Sequence, residues 1–222
     1  MALPSCGAWL ARPWAACADG AHMATALATS FKILALGPNP ALQRVLGFDG
    51  EIKFGGVNRA SSCSEYVGGK GQGVALALQR WSPGSSAIAQ FLGGDTGNFI
   101  EAELTRAGVE CVTQQSAAAT RICTTLLHAG SGGGTELIDP SGTITASELG
   151  GLVDKVGEYS ARQRVGGLAC CGTTPPGSES LYSSIAEQQL PEETLLLVDS
   201  SKGIDSLLES GRVDVLKASK PG

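Results

Sequence analysis

A chain of 222 residues can form one sizeable hydrophobic core or two small ones, and its composition of 42% hydrophobic and 17% charged residues excludes disorder throughout. The formal net charge of −5 and the lack of a basic stripe argue against a nucleic-acid-binding protein, and no apolar run is long enough to indicate a membrane partner. The seven cysteines include no C-x-x-C pair and neither histidine has a cysteine at ligand spacing, so we expect reduced thiols in the core and no metal site.

The first 30 residues differ from the rest of the sequence. They are rich in alanine, contain Arg12 as their only lysine or arginine, and show no clear helical or strand periodicity. This composition fits a weak organelle transit segment, or an extension outside the folded domain with Met23 as an alternative start. We therefore expect a cytoplasmic protein, or a plastid or mitochondrial one if residues 1–30 direct import.

From residue 31 onwards, predicted strands alternate with predicted helices. Apolar runs bounded by turn residues predict strands at 31–36, 45–48, 57–61, 87–92, 109–112, 122–127, 136–138, 167–171, 194–199 and 213–216, with a flexible tip at 130–134. Helical spacing or capping residues predict helices at 74–81, 98–107, from about 146 after the Thr145–Glu148 capping box, from Ser178 to about 189, and at 205–209.

This alternation predicts an α/β fold with a parallel or mostly parallel sheet and helices on both faces. The strands predicted at 45–61 interrupt the alternation, so we expect them to form a flap beside the main sheet. Ligands of such folds bind at the carboxyl ends of the strands. The loops after Leu36, Leu92, Cys171 and Asp199 are therefore the places to look for a site.

The densest glycine cluster, GGKGQG at residues 68–73, directly precedes a predicted helix. Glycine allows close approach to the backbone, and a helix N-terminus with Lys70 suits an anion or closely spaced hydroxyl groups. A flexible loop without a ligand is the alternative. A Walker A loop is excluded because Lys70 precedes Gly71 and Ser64 occupies the first glycine position, and a dinucleotide loop is excluded because G-x-G-x-x-G is absent, which disfavours an oxidoreductase.

Two further polar loops, at residues 39–41 and 172–177, follow predicted strands and would line one cleft with the glycine cluster, although each alone is as well explained as a turn. Nothing indicates nucleophilic catalysis, since G-x-S-x-G is absent and only two histidines are present. Asp95, Asp139 and Asp199 are better explained by capping or turn formation than by catalysis.

Several spaced motifs occur in an order that resembles the PfkB (ribokinase-like) carbohydrate kinases, nearest the branch of 1-phosphofructokinase and tagatose-6-phosphate kinase. The resemblance covers about residues 32–217 and is carried by residues 39–41 (NPA), 56–59 (GVNR), 68–71 (GGKG), 91–95 (FLGGD), 120–121 (TR), 134–137 (GTEL) and 172–177 (GTTPPG). It implies a three-layer ribokinase-like fold with a small β lid near residues 45–61 and 122–138. Residues 31–222 would then be a partial PfkB domain, truncated at its C-terminus.

The resemblance also implies which residues bind the sugar. Matched motif by motif, they are Asn39, Gln43, Gly68, Gly69, Lys70, Gly73, Arg121 and Thr173. Gln43 stands where the family usually has Asp, and Gly73 where it usually has Asn. Because glutamine is neutral and glycine has no side chain, we expect the affinity for sugar, or the choice of sugar, to differ from that of a standard member.

The family's Gly-Ala-Gly-Asp loop, which would supply the anion hole and the catalytic Asp, does not occur in residues 1–222, so we assign neither a catalytic residue nor a metal ligand. Complete members use ATP and Mg²⁺. The resemblance thus predicts an ATP-dependent sugar or sugar-phosphate kinase of which this chain retains mainly the sugar-binding part, inactive by itself. The alternative is a non-catalytic sugar-phosphate-binding or regulatory protein derived from the kinase fold. A small-molecule sugar is the expected partner, and a homodimer formed through the exposed sheet edge is an open alternative.

Overall fold

The computed structural model describes residues 31–128, 133–188, 190–191 and 193–217. The predicted extension at 1–30 and part of the predicted tip at 130–134 lie outside these residues. In the described part of the chain, no helix combines the length and apolar character needed to cross a membrane.

In the described residues, ten strands and five helices follow one another. The strands are β1 (Lys32–Leu36), β2 (Ala41–Phe48), β3 (Ser62–Gly68), β4 (Ser86–Leu92), β5 (Glu110–Gln115), β6 (Ile122–His128), β7 (Thr135–Ile138), β8 (Val165–Cys171), β9 (Leu195–Asp199) and β10 (Val215–Leu216). The helices are α1 (Lys70–Trp81), α2 (Gly94–Arg106), α3 (Ala146–Arg162), α4 (Leu181–Gln188) and α5 (Asp205–Glu209).

The main sheet has six strands in the order β10-β9-β8-β1-β4-β5, and every neighbouring pair is parallel. All carboxyl ends therefore meet at one edge. Alternate side chains enter two different cores: Leu34 and Leu36 of β1 pack with α3, α4 and α5, whereas Ala35 packs with α1 and α2. This confirms the predicted three-layer α/β architecture.

The lid is a second sheet of four strands in the order β3-β2-β6-β7, inserted into the main domain in two places. β2 and β3 separate β1 from α1, and β6 and β7 separate β5 from α3. Strands β2 and β6 are parallel, while β3 and β7 are antiparallel to them. Residue Ala41 starts β2 two residues after Asn39, so the lid rises directly from the carboxyl edge of the main sheet.

The strand predicted at 57–61 is wrong. Residues 57–60 have no regular structure, and β3 begins at Ser62. The real strand escaped prediction because its residues 62–66 are exposed and mostly polar, so no apolar run marks it. It is held instead by seven antiparallel pairs with β2, among them Arg44 with Glu65, whose side chains form an ion pair at 2.8 Å.

Most helix boundaries shift by a few residues from the prediction. Helix α1 starts at Lys70, inside the glycine cluster, four residues before the predicted start. Ser178 does not cap α4 at the predicted position: the helix begins at Leu181, and the Ser178 hydroxyl donates to the Pro175 carbonyl at 2.7 Å. The capping box before α3 is confirmed, since Thr145 Oγ1 accepts from the Glu148 N–H.

Candidate functional site

The candidate site is a cavity of about 510 Å³ at the carboxyl edge of the main sheet. The loops after β1, β8 and β9, the first turn of α1 and the lid enclose it. Its lining residues are Gly37, Asn39, Gly69, Lys70, Gln72, Arg121, Glu136, Ile138, Cys171, Gly172, Thr173, Ser200 and Ser201. This is the place at which parallel α/β sheets bind ligands.

Asn39 joins the loop after β1 to Thr173 in the cavity wall and to Ser141, which lies between β7 and α3. Its Oδ1 accepts from the Ser141 hydroxyl at 2.9 Å, and its Nδ2 donates to Thr173 Oγ1 at 3.4 Å. Arg121, at the start of the lid strand β6, donates through Nη2 to the Asn39 carbonyl at 3.3 Å. These bonds fix the relative positions of the loops after β1 and β8 and of the lid.

The N-terminus of α1 faces the same cavity. Gly69 is the N-cap residue, with φ of +117°, a conformation that residues with a Cβ rarely adopt, and no side chain caps the helix. The helix ladder begins with the Gly73 N–H, which donates to the Gly69 carbonyl at 3.0 Å. The N–H groups ahead of it give this end a partial positive charge, to which Lys70 adds a full one.

Two lysines converge on one carboxylate beside the cavity. Asp199 ends β9, and its two oxygens lie 3.5 Å from Lys70 Nζ and 2.8 Å from Lys217 Nζ. The hydrogen bond from Lys217, together with the charges of both lysines, holds the pKa of Asp199 below its usual range despite partial burial. Asp199 is therefore ionised at neutral pH and holds Lys70 at the cavity wall.

The charges and the thiol of the lining limit its chemistry. Lys70 and Arg121 carry positive charge and Glu136 negative charge, so the lining favours an anion. Burial raises the pKa of Cys171 to about 11. That thiol stays protonated near neutral pH, so it is a poor nucleophile. The lining thus suits recognition of polar and anionic groups through hydrogen bonds.

Five of the eight residues implied by the resemblance line this cavity. They are Asn39, Gly69, Lys70, Arg121 and Thr173. Their role in binding a substrate stays a prediction.

The other three lie outside the lining. Gln43 is in the lid strand β2, where its amide donates to Thr125 Oγ1 at 2.9 Å. Gly68 ends β3, and its close neighbours are Ala41 and Gln43. Gly73 is exposed in the first turn of α1, with no other atom within 4 Å of the position that a Cβ would occupy.

Sequence reasoning missed three residues of the site. Asp199 ends β9, a position that the sequence explains by capping or turn formation. Lys217 follows β10 at the same edge of the sheet. Gln72 lies within the glycine cluster, and its sequence position does not indicate that its side chain packs against Gly37 and Gly69.

Comparison with known proteins identifies the family. The family model of the pfkB carbohydrate kinases matches residues 41–221. Phosphofructokinase-2 from Escherichia coli is 24% identical, with a TM-score of 0.72 over 84% of this chain. A candidate phosphofructokinase from Staphylococcus aureus is 26% identical, with a TM-score of 0.65 over 80%. A candidate 1-phosphofructokinase from Thermotoga maritima is 20% identical, with a TM-score of 0.66 over 80%.

The matched part of these structures is not their whole length. This chain spans 60% of the Escherichia coli protein and 55% of each of the other two. The family match at residues 41–221 includes the lid strands and every described strand and helix except β1, and it begins after the loop that carries Asn39. The chain belongs to the PfkB family of carbohydrate kinases.

Proposed function

We propose that the chain binds a sugar or sugar phosphate, the phosphoryl acceptor of an ATP-dependent carbohydrate kinase. The observation that carries this proposal is the composition of one cavity, in which the neutral side chains of Asn39 and Thr173 lie beside the cations Lys70 and Arg121. The hydroxyl groups of a sugar can form hydrogen bonds with Asn39 and Thr173. The phosphate of a sugar phosphate can form charge-assisted hydrogen bonds with Lys70 and Arg121.

The similar solved structures suggest which ligands to test. Phosphofructokinase-2 from Escherichia coli has been solved in complex with fructose-6-phosphate, and the Thermotoga maritima protein is a candidate 1-phosphofructokinase. At 23% and 20% identity, these proteins share a fold with this chain. Fructose 6-phosphate and fructose 1-phosphate are therefore the first ligands to test, with unphosphorylated fructose as the neutral counterpart.

ATP and Mg²⁺ are the cofactors that PfkB kinases generally use. Mg²⁺ in kinases is held by one or two carboxylates together with nucleotide phosphates. Asp199, which is ionised beside the cavity, and Glu136, which lines it, are residues of this type. Among the described residues, no three His, Cys, Asp or Glu side chains cluster as metal ligands. Both Asp199 oxygens are already bound to Lys70 and Lys217, so the described residues do not by themselves form a metal site, and we derive no step through the ion.

The 222 residues are proposed to supply mainly the acceptor side of the reaction. Their contribution would be to hold and orient the sugar, with Lys70 and Arg121 offsetting the charge of its phosphate. A non-catalytic sugar-phosphate-binding protein built on the same fold would show the same binding. An assay of phosphoryl transfer distinguishes the two functions, because only a kinase transfers phosphate to the bound sugar.

Calorimetry on the 222-residue chain tests the binding proposal. In Lys70→Ala, we expect affinity for either sugar phosphate to fall about tenfold, since one charge-assisted contact at a partly exposed site is lost, while affinity for fructose changes less than about twofold. Lys53→Ala is the matched control, because Lys53 is exposed in the loop between β2 and β3 and does not line the cavity. No binding by the wild type, or equal losses for fructose and its phosphates, would contradict the proposal.

A further inference from the structure

Gln72 is a fully enclosed polar side chain directly beneath the candidate site. It lies in the first turn of α1 with 0% of its surface exposed. Glutamine is seldom buried to this extent, because an enclosed amide must find partners inside the protein. Its Nε2 donates to the Gly37 carbonyl at 2.8 Å and to Gln90 Oε1 at 2.9 Å. One amide therefore connects α1 to β4 and to the loop that follows β1.

Gln90, the partner in β4, is also fully enclosed. Its strand lies between β1 and β5 in the main sheet, where its two neighbours on the same face, Ile88 and Leu92, are apolar. Within the described part of the chain, Gln72 Oε1 and Gln90 Nε2 have no hydrogen-bond partner. Such a pair costs stability compared with an apolar pair of the same shape. An enclosed amide that bridges two elements can instead fix their relative position.

Two glycines make room for the Gln72 amide. A Cβ added to Gly69 would lie 2.1 Å from Gln72 Oε1, and one added to Gly37 would lie 2.8 Å from Nε2 and 2.9 Å from Oε1. All three distances are too short for a real Cβ. The two glycines thus allow the backbone to close over the amide, and this requirement holds whether or not a ligand approaches from the other side.

We propose that Gln72 is a positioning residue of the site. Its amide fixes the Gly37–Asn39 loop against the first turn of α1, and so sets the position of Asn39 relative to Lys70, both of which line the cavity. Its effect on ligand affinity rests on the proposed function, whereas its effect on the two loops does not. Although Gln72 borders the cavity, none of its surface is exposed, so in this proposal it acts through Gly37 and Gly69 and touches no substrate.

The test replaces the amide while keeping the volume. In Gln72→Met, the side chain is of similar length but cannot donate to Gly37 or Gln90. Gln79→Met is the matched control, because Gln79 lies in the same helix and its amide oxygen accepts from Gly84 N–H and from the Ser86 hydroxyl, at the end remote from the site. We expect Gln72→Met to weaken binding of fructose 6-phosphate at least tenfold and Gln79→Met to leave it within twofold of wild type.

The double variant Gln72→Met/Gln90→Met separates positioning from stability. Since it removes both orphaned amides, its melting temperature should recover towards that of the wild type. Its affinity should stay at least tenfold weaker, because the bond to Gly37 is still absent. Recovery of both melting temperature and affinity would overturn the proposal.

Amide hydrogen exchange without ligand gives a second measurement that does not depend on the proposed function. The amides of Gly37, Asn39 and Ala41, and those of residues 69–73, should exchange about tenfold faster in Gln72→Met than in wild type or Gln79→Met. If the wild type binds no sugar phosphate, the proposed function fails and exchange alone decides the positioning role. If Gln72→Met does not fold, Gln72→Leu, which also cannot donate to Gly37, takes its place and should accelerate exchange at the same residues. Unchanged exchange in the folded variant would overturn the proposal.

Discussion

At the scale of single residues, the glycines of the 68–73 cluster have different physical roles although the sequence presents them alike. Gly69 needs a positive φ and lies against the Gln72 amide, while Gly71 packs against Gly37, where an added Cβ would lie 2.4 Å from the Gly37 Cα. Gly73 is an exposed helical residue with open space around it. Only contacts distant in sequence distinguish them, so the sequence predicted a special loop without showing which glycine is essential.

This difference predicts opposite outcomes for two substitutions. Gly69→Ala places a Cβ in a left-handed backbone and against a buried amide, so we expect a loss of about 1–3 kcal/mol in stability and at least tenfold weaker sugar-phosphate binding. Gly73→Ala should stabilise the chain by about 0.5–1 kcal/mol, because alanine favours a helix interior, and should leave binding unchanged.

Urea denaturation and calorimetry on both variants would measure the two effects. A loss of binding in Gly73→Ala with the fold intact would restore Gly73 to the sugar site that the family resemblance implied. A Gly69→Ala variant that matches the wild type in both measurements would contradict the geometry described for the N-terminus of α1.

At the scale of secondary-structure elements, local chemistry was predictable and long-range pairing was not. The start of α3 follows from Thr145 and Glu148, two residues that bond to each other across one turn. The buried strands β1, β4 and β8 follow from short apolar runs. In contrast, β3 exists because it pairs with β2 across a loop of 13 residues, and its own sequence is polar and exposed. Its position could not be predicted without knowing its partner.

One charged network ties three elements together at the amino end of the main sheet. Lys32 at the start of β1 forms an ion pair with Glu110 at the start of β5, and Tyr159 of α3 donates to the other Glu110 oxygen at 2.7 Å. Burial alone would raise the pKa of Glu110, but the bonds from Lys32 and Tyr159 and the charge of Lys32 outweigh it, so the pKa is lowered. The folded state therefore favours ionised Glu110.

The lowered pKa of Glu110 makes the stability of the folded chain depend on pH. Because the pKa of Glu110 is lower in the folded chain than the value of about 4.3 expected in the unfolded chain, its contribution is fully present above that pH and is lost as pH falls through the folded pKa. We expect the free energy of unfolding to fall less between pH 6 and pH 3 in Glu110→Gln than in wild type. Urea denaturation across this range is the measurement, with exposed Glu209→Gln as the control. Identical pH profiles for all three proteins would refute this account.

At the scale of the whole molecule, the two faces of the main sheet are covered unequally. Helices α3, α4 and α5 cover one face, whereas α1 and α2 cover only part of the other. On that second face, β8 and β9 border an apolar groove lined by Phe31, Ile33, Leu195 and Leu197, with Lys217 at its edge. Exposed apolar surface of this kind promotes self-association. Activity measurements on the 222-residue polypeptide therefore need sedimentation analysis at the same concentration.

The 222-residue polypeptide lacks an evident general base for phosphoryl transfer among its described cavity residues. Phosphoryl transfer requires the acceptor hydroxyl, the γ-phosphate, Mg²⁺ and a proton acceptor in one geometry, and much of the rate enhancement comes from that positioning. The described cavity offers groups for the acceptor, but the best-placed carboxylate, Asp199, is bound to two lysines and is a weak base because its pKa is lowered. A missing general base typically costs a factor of about 10² to 10⁴. We therefore expect the 222-residue polypeptide to bind sugar phosphate without ATP-dependent phosphorylation above a buffer blank.

The assay is transfer from radiolabelled ATP to fructose 6-phosphate, fructose 1-phosphate, tagatose 6-phosphate and ribose, with and without Mg²⁺. Fusion of the carboxyl-terminal segment of a full-length PfkB relative should produce measurable turnover, because it adds the Gly-Ala-Gly-Asp loop to the proposed acceptor site. In that fusion, Lys70→Ala should lower turnover and Lys53→Ala should not, which would assign the activity to this chain's cavity. The contrary result would be Mg²⁺-dependent turnover by the purified 222-residue polypeptide alone that is lost in Lys70→Ala. It would show that the polypeptide's own residues complete the catalytic site.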